Sequence, residues 1–165
     1  MNQEQKEKTN CCPVFDPEPW DGKTWTWEEK PFLKDSMRTF FHIPSPKTLT
    51  KTLERMWKTV QEAGADPDQK EVIIMANDPT AFRTDYYINL TKEIPGANMA
   101  KLSGTFYTRV FDGPYNQAPK WIKQLKAEAS EKGIRLVDFY FYYTTCPKCA
   151  KAYGHNYVVL FAKIG

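Results

Sequence analysis

The chain has 165 residues, enough for one domain with a sizeable core that needs no metal to fold. It is 41% hydrophobic and 15% aromatic, and 23 Lys and Arg against 20 Asp and Glu leave a net charge of only +3 without a long basic run, so nucleic acid is not the expected partner. The polar first ten residues hold no secretory signal and no apolar run reaches membrane-spanning length, so the expectation is a cytoplasmic protein with no membrane partner, whose four cysteines are reduced thiols or metal ligands rather than disulfides.

Met1–Asn10 reads as a solvated, disordered tail. Residues 11–34 are rich in Pro, Asp and Trp and read as an irregular arm laid over a domain that occupies residues 35–165. Trp20, Trp25 and Trp27 will not stay in water. The arm either packs over a core edge or forms a lid, with Trp25 on the wall of a ligand site.

Asp35–Ile43 is strand-like. Ser45-Pro46 then supplies an N-cap and a proline for the first helical turn. Leu49, Leu53, Met56, Trp57, Val60 and Ala63 recur at spacings of three and four, which predicts an amphipathic helix ended by Gly64. Glu71–Ala76 is a buried strand, Asn77-Asp78-Pro79 a turn, and Arg83–Lys92 a further strand.

The order then repeats. Lys101–Phe111 is a strand, Gly113-Pro114 breaks it, and Asn116 caps a helix that carries Ala118, Trp121, Ile122 and Leu125 and stops at Gly133. Arg135–Tyr143 and Asn156–Lys163 are strands on either side of a tight turn. Each half, 35–97 and 98–165, thus reads strand–helix–strand–strand. Asp85–Lys92 aligns without gaps on Asn156–Lys163, which supports a duplication. The predicted fold class is α+β, with two such halves around a central ligand cleft.

The turn in the second half holds Cys146-Pro147-Lys148-Cys149. A Cys-x-x-Cys turn points both sulfurs one way, which suits a tetrahedral metal or a dithiol. Cys11 and Cys12 are the other cysteines, and the reading is that they fold back onto this turn. Three possibilities stand: a shared site for zinc, a redox or reactive thiol cluster favoured by Lys148 and Lys151, or ordinary buried cysteines. His155 follows closely as an alternative ligand.

On the strand 135–143, Asp138, Tyr140 and Tyr142 alternate with Val137, Phe139 and Phe141. Period two puts the polar trio on one face and the apolar trio on the other, against the helices. An aspartate between aromatic neighbours suits acid–base work, with Tyr140 beside it; the bland reading is a surface aspartate. Tyr86, Tyr107 and Arg109 are candidates for the same cavity, as is His42, although a strand histidine is more often packing.

Phe82-Arg83-Thr84-Asp85-Tyr86-Tyr87-Ile88-Asn89-Leu90 after an Asn-Asp-Pro turn, in two strand–helix–strand–strand halves, resembles the GyrI-like small-molecule-binding domain, which is related to effector-binding domains of multidrug regulators and to SOUL proteins. The residues around Cys11-Cys12-Pro13 (through Phe15-Asp16-Pro17 and Pro19-Trp20-Asp21 to Lys23) and Thr144-Thr145-Cys146-Pro147-Lys148-Cys149-Ala150-Lys151 with Tyr153-Gly154 resemble a stand-alone group within it, carried either as uncharacterised proteins or as hydrolases. The resemblance implies a small-molecule ligand, and for some members hydrolysis of strained electrophiles by a pocket acidic residue beside aromatics. Asp138 is the nearest match to that residue. The expected function is therefore a hydrolase of a small, aromatic or electrophilic ligand; the alternatives are a non-catalytic sensor or sequestering protein, and a cysteine-based metal or redox protein. No DNA-binding helix-turn-helix is recognisable.

Overall fold

The computed structural model describes residues 14–145 and 147–165. The expected tail Met1–Asn10 lies outside them, as do Cys11, Cys12 and Cys146. The elements in chain order are β1 (Lys23–Phe40), β2 (Ile43–Pro44), α1 (Pro46–Glu62), β3 (Ile74–Thr80), β4 (Arg83–Asn89), β5 (Met99–Asp112), a 3-10 turn (Tyr115–Gln117), α2 (Ala118–Glu131), β6 (Leu136–Tyr143), α3 (Pro147–Tyr153) and β7 (Tyr157–Ile164). They form two compact units. One is Trp27–Ser103; the other joins the described residues up to Thr26 to Gly104–Gly165.

In the first unit β4 is the central strand. It pairs antiparallel with β1, where Leu33 faces Ile88, and with β3, where Ile74 faces the same Ile88. Every second residue of these strands packs on α1, so Leu33, Met37, Tyr86 and Ile88 share one core with Met56 and Val60. Pro46 stands in the first turn of α1. Ser45 has the extended backbone of an N-cap, φ −65° and ψ 124°, but its hydroxyl makes no capping bond. Gly64 ends the helix in the left-handed region at φ +61°.

The other unit repeats the plan. Its central strand is β7, antiparallel to β5 and to β6. Val158, Leu160 and Ala162 pack with Trp121 and Leu125 of α2 and with Phe141. Each half is thus strand–helix–strand–strand with its last strand between the other two, and the expected α+β duplication holds.

Several local expectations change. The strand expected from Asp35 begins at Lys23, so the second half of the supposed arm is regular. Pro31 does not break it: the residue lacks a donor, but its carbonyl accepts from Leu90 N–H at 3.1 Å. Asn77-Asp78-Pro79 belongs to β3 rather than to a turn. Between the pairs Asn77–Asp85 and Thr80–Arg83, β3 advances three residues and β4 two, which is a bulge that absorbs the proline. The helix expected to start at Asn116 is preceded by the 3-10 turn, and Gln117 stands at the cap of α2. The residues after Cys146 wind into α3 rather than a tight turn. A register shift between Leu136 and Asp138 puts Leu136 against α2 with Phe139 and leaves Val137 exposed, so Val137 is not on the apolar face predicted for it.

The strand expected to run to Ile43 ends at Phe40. Phe41 and His42 form the link to β2, both with positive φ, +47° and +67°. Two positive φ angles in a two-residue hairpin suit Asn and Gly, not these side chains. His42→Gly should therefore raise stability by about 1 kcal/mol, roughly 2–4 °C in a thermal melt. The exposed 3.4 Å contact of His42 with Asp78 that it removes is worth little.

Candidate functional site

Because the helix claims one face of each central strand, a ligand-binding group on the strands has the reverse face to work from. In the unit Trp27–Ser103 that face carries Phe32, Lys34, Ser36, Asp85 and Tyr87. Asp85 is 4% exposed and its carboxylate is fully engaged. Ser36 Oγ donates to Oδ1 at 2.6 Å, Arg83 Nε to Oδ1 at 2.8 Å and Arg83 Nη2 to Oδ2 at 3.0 Å, while Lys34 Nζ stands 3.7 Å from Oδ2. Burial alone pushes this carboxyl up, but the bonds from Arg83 and Ser36 and the Lys34 charge outweigh it and hold it below its ordinary value of 3.8. Asp85 is an ionised acid beside aromatics: Lys34 Nζ lies 5.7 Å from the Tyr87 ring centroid, and Tyr87 meets Phe32 edge-on at 6.3 Å. Sequence reasoning passed over it. The available signal was a charged residue opening the apolar run 86–88, with Arg83 two positions earlier on the same face.

In the other unit the reverse face carries Asp138, Tyr140 and Tyr142, opposite Lys163, Phe161 and Val159 on β7. Residues 15–25 lie over it. Trp20 meets Tyr142 at 5.7 Å and Phe161 at 6.1 Å, and Trp25 packs on Trp20 at 5.5 Å. The anchor is Thr108, fully buried on β5. Its hydroxyl accepts from Trp25 Nε1 at 3.0 Å and donates to the Trp20 carbonyl. Asp138 accepts from the Phe139 N–H at 2.9 Å, a local bond within its own strand.

Tyr107 and Arg109 are on the opposite face. Their β7 partners are Ala162 and Leu160, which pack on α2, whereas Tyr140 and Tyr142 face Phe161 and Val159; one step of register separates the two sets. Tyr107 joins the α2 core, and Arg109 Nη1 donates to Glu128 of α2 at 2.6 Å, with Asp21 at 3.3 Å from its Nε. In the first unit Tyr86 is also on the helix side, 6% exposed, and burial followed by the Asp78 charge pushes its phenol up to about 12. His42 is exposed on the β1–β2 link. Of the residues expected to share one cavity, the structure gathers Asp138, Tyr140, Tyr142 and Trp25 on one side of one sheet and sends Tyr107 and Arg109 to the other.

Three of the four cysteines lie outside the described residues. Cys149 is fully buried in α3. Among the described residues no group of three His, Cys, Asp or Glu is placed to hold a metal ion, and no helix is long and apolar enough to cross a membrane.

A family model described as bacterial hydrolase matches residues 2–164. No match is found among the curated proteins. Among solved structures, a hydrolase from Listeria innocua has a TM-score of 0.65 at 9% identity and covers 98% of each chain. The EcmrR C-terminal domain also has a TM-score of 0.65, at 10% identity, covering 88% of this chain and 98% of that one. EcmrR in a complex with DNA matches at 0.64 and 10% identity, over 98% of this chain and 61% of that one. Identities this low speak for the fold alone, which is the GyrI-like α+β fold.

Two titrations test the placement of these side chains. Asp85, with its folded value lowered, contributes stability that is fully present above 3.8 and is lost as pH falls through the lower folded value. Urea midpoints taken from about pH 6 down to about pH 2.5 should therefore show an acid-side loss that is smaller in Asp85→Asn. Tyr86 has the opposite sense. As pH rises from 10.0 towards 12 the unfolded phenol ionises first, so stability falls there, and Tyr86→Phe should remove that part of the alkaline loss.

Proposed function

The chain belongs to the bacterial hydrolase family, and from that premise we propose that it hydrolyses a small, aromatic or electrophilic molecule on the sheet face turned away from the helix. The observation that carries this reading is the placement of Asp138, Tyr140 and Tyr142 on that face, with Trp20 and Trp25 laid along it. Aromatic rings on that scale hold a flat ligand by area and edge contacts. Asp138 is the general acid or base and Tyr140 the neighbouring hydroxyl. Asp85 is the other carboxylate with aromatic neighbours, held as an anion by Arg83, Ser36 and Lys34. The near balance of charge, +3 without a long basic run, supports a partner list of small molecules without nucleic acid.

Turnover of a panel of aryl esters and epoxides by the purified chain tests the reading. Asp138→Asn should lower kcat by about 100-fold, within the range for a lost general acid or base. Binding, followed by tryptophan fluorescence, should survive, and Trp20→Phe should weaken the fluorescence response. Loss in Asp85→Asn with retention in Asp138→Asn would move the chemistry to Asp85. Full retention in both would remove the carboxylate mechanism.

A second reading is a binding protein without turnover, which the aromatic rings along the same sheet face support equally. Saturable quenching by a ligand that is recovered unchanged would favour it. The cysteine-based reading has one described thiol, and the full burial of Cys149 supports a packing role for that sulfur.

A further inference from the structure

Where β5 ends and β7 begins, a recess of about 240 Å³ is lined by Val14, Phe15, Thr145, Tyr153, His155 and Tyr157. Its geometry follows from the end of α3. Gly154 takes φ +75°, and its N–H donates to the Ala150 carbonyl at 3.0 Å, which closes the helix and turns the chain back towards β5. In the antiparallel ladder Asp112 faces Tyr157, so the Asp112 carboxylate meets the two residues just before it. Oδ1 accepts from Asn156 N–H at 2.8 Å and Oδ2 lies 2.7 Å from His155 Nδ1. Asn156 Nδ2 also donates to the Gly113 carbonyl at 2.6 Å, so both sides of the pair are pinned.

An ionised Asp112 can only accept, so a neutral His155 must carry its proton on Nδ1. Burial pushes the Asp112 carboxyl up, but the bonds from His155 and Asn156 bring it below 3.8 overall. Nε2 then holds a lone pair, and among the described residues nothing engages it. The imidazole stacks on Tyr157 at 4.9 Å with planes 11° apart, which fixes its orientation. Phe15 packs on the same Tyr157 at 5.9 Å. Among the described residues Thr145 Oγ1, buried in the same lining, has no hydrogen-bond partner. A buried hydroxyl with nothing to bond is costly unless something else uses it.

We propose that this recess is a hydrolytic site for small aryl esters, with His155 as general base, Asp112 as the residue that positions it and Thr145 as donor to the carbonyl oxygen. A cavity of about 150 Å³ is enough for a benzene ring, so the recess takes one ring and a short acyl group. The aryl group lies against Phe15 and Tyr157. A water gives its proton to Nε2 while its oxygen forms a bond to the acyl carbon; the bond from that carbon to the aryl oxygen breaks, and the aryloxide leaves and takes up the proton. The products are the acid and the phenol. The proposal shares with the preceding reading only the hydrolytic class, not its carboxylates.

The test is release of 4-nitrophenolate from 4-nitrophenyl acetate by the full chain. His155→Asn should lower the rate by about 100-fold. Asp112→Asn should lower it by about tenfold or more, because an amide accommodates either tautomer, and Thr145→Val by about tenfold. In the intact protein, nitrogen-15 NMR should show neutral His155 as the Nδ1–H tautomer, a readout that does not depend on any variant folding. The Nε2–H tautomer, or a rate unchanged in a folded His155→Asn, would overturn the assignment. Ester turnover lost in Asp138→Asn but kept in His155→Asn would overturn it too while leaving the hydrolase reading in place. If no ester is cleaved but an epoxide of the panel is, this site again falls and that reading stands.

Discussion

A pleated strand offers alternate side chains to its two faces, and a helix laid on one face takes every second residue. Both halves of this chain put that constraint on their last strand, which lies between the other two. On β7 the helix takes Val158, Leu160 and Ala162 and leaves Tyr157, Val159 and Phe161 for the reverse side. On β4 it takes Tyr86 and Ile88 and leaves Asp85 and Tyr87. Which side of its sheet a residue takes follows from this division before any chemistry is considered. Tyr86 and Tyr107 are as aromatic as Tyr140 and Tyr142, but parity puts them on the helix side of their sheets.

The reverse face of the second unit is not left to water. Trp20 and Trp25 lie along it, and burying rings of that size contributes several kcal/mol. Aromatic packing alone is poorly directional, so the position of the tryptophans needs a polar fix. Thr108 supplies it, with one hydroxyl that takes a bond from Trp25 and gives one to Trp20, and with its carbonyl accepting from Gly22 at 2.9 Å. Asp21 adds a bond to Val110 N–H at 2.9 Å. The segment is thus tied to β5 through its own backbone turn, and the aromatic surface it completes is a built feature of this unit.

Much of the architecture was legible because it rests on periodicity. The spacing of Leu49, Leu53, Met56 and Val60 is that of α1, and the alternation of Phe139 and Phe141 with Tyr140 and Tyr142 is that of β6. What periodicity cannot register is a single inserted residue. The bulges at Asn77–Thr80 and Leu136–Asp138 leave the local composition unchanged yet reverse the facing of what lies beyond, which is why Val137 is exposed and Pro79 sits in a strand. Parity within one strand was readable, but parity between strands was not. Arg109 and Tyr107, two positions apart on one strand, share a face, and only the register with β7 shows that this is not the face of Tyr140. Asp85 was hidden for another reason: besides Arg83 it is held by Lys34 and by Ser36, the latter 49 positions away in the chain.

The two cysteine motifs pose the remaining question of economy. They were conspicuous for their thiols, yet their described members converge without any sulfur in the argument. Val14 and Phe15 come from within the first motif, Thr145 and Tyr153 from the second, and His155 from just after it, and all five line one recess. The extra residues that the second half spends between β6 and β7, compared with the short Ala81–Phe82 link between β3 and β4, form α3. That helix does two things a short link cannot. It buries Cys149, and by ending at Gly154 it delivers His155 to Asp112. An insertion that only stabilised the fold would have no need to orient an imidazole with a carboxylate at one ring nitrogen beside a lined hollow. The duplication supplied a strand end, and the inserted helix converted it into a place where a proton can be held at a defined atom.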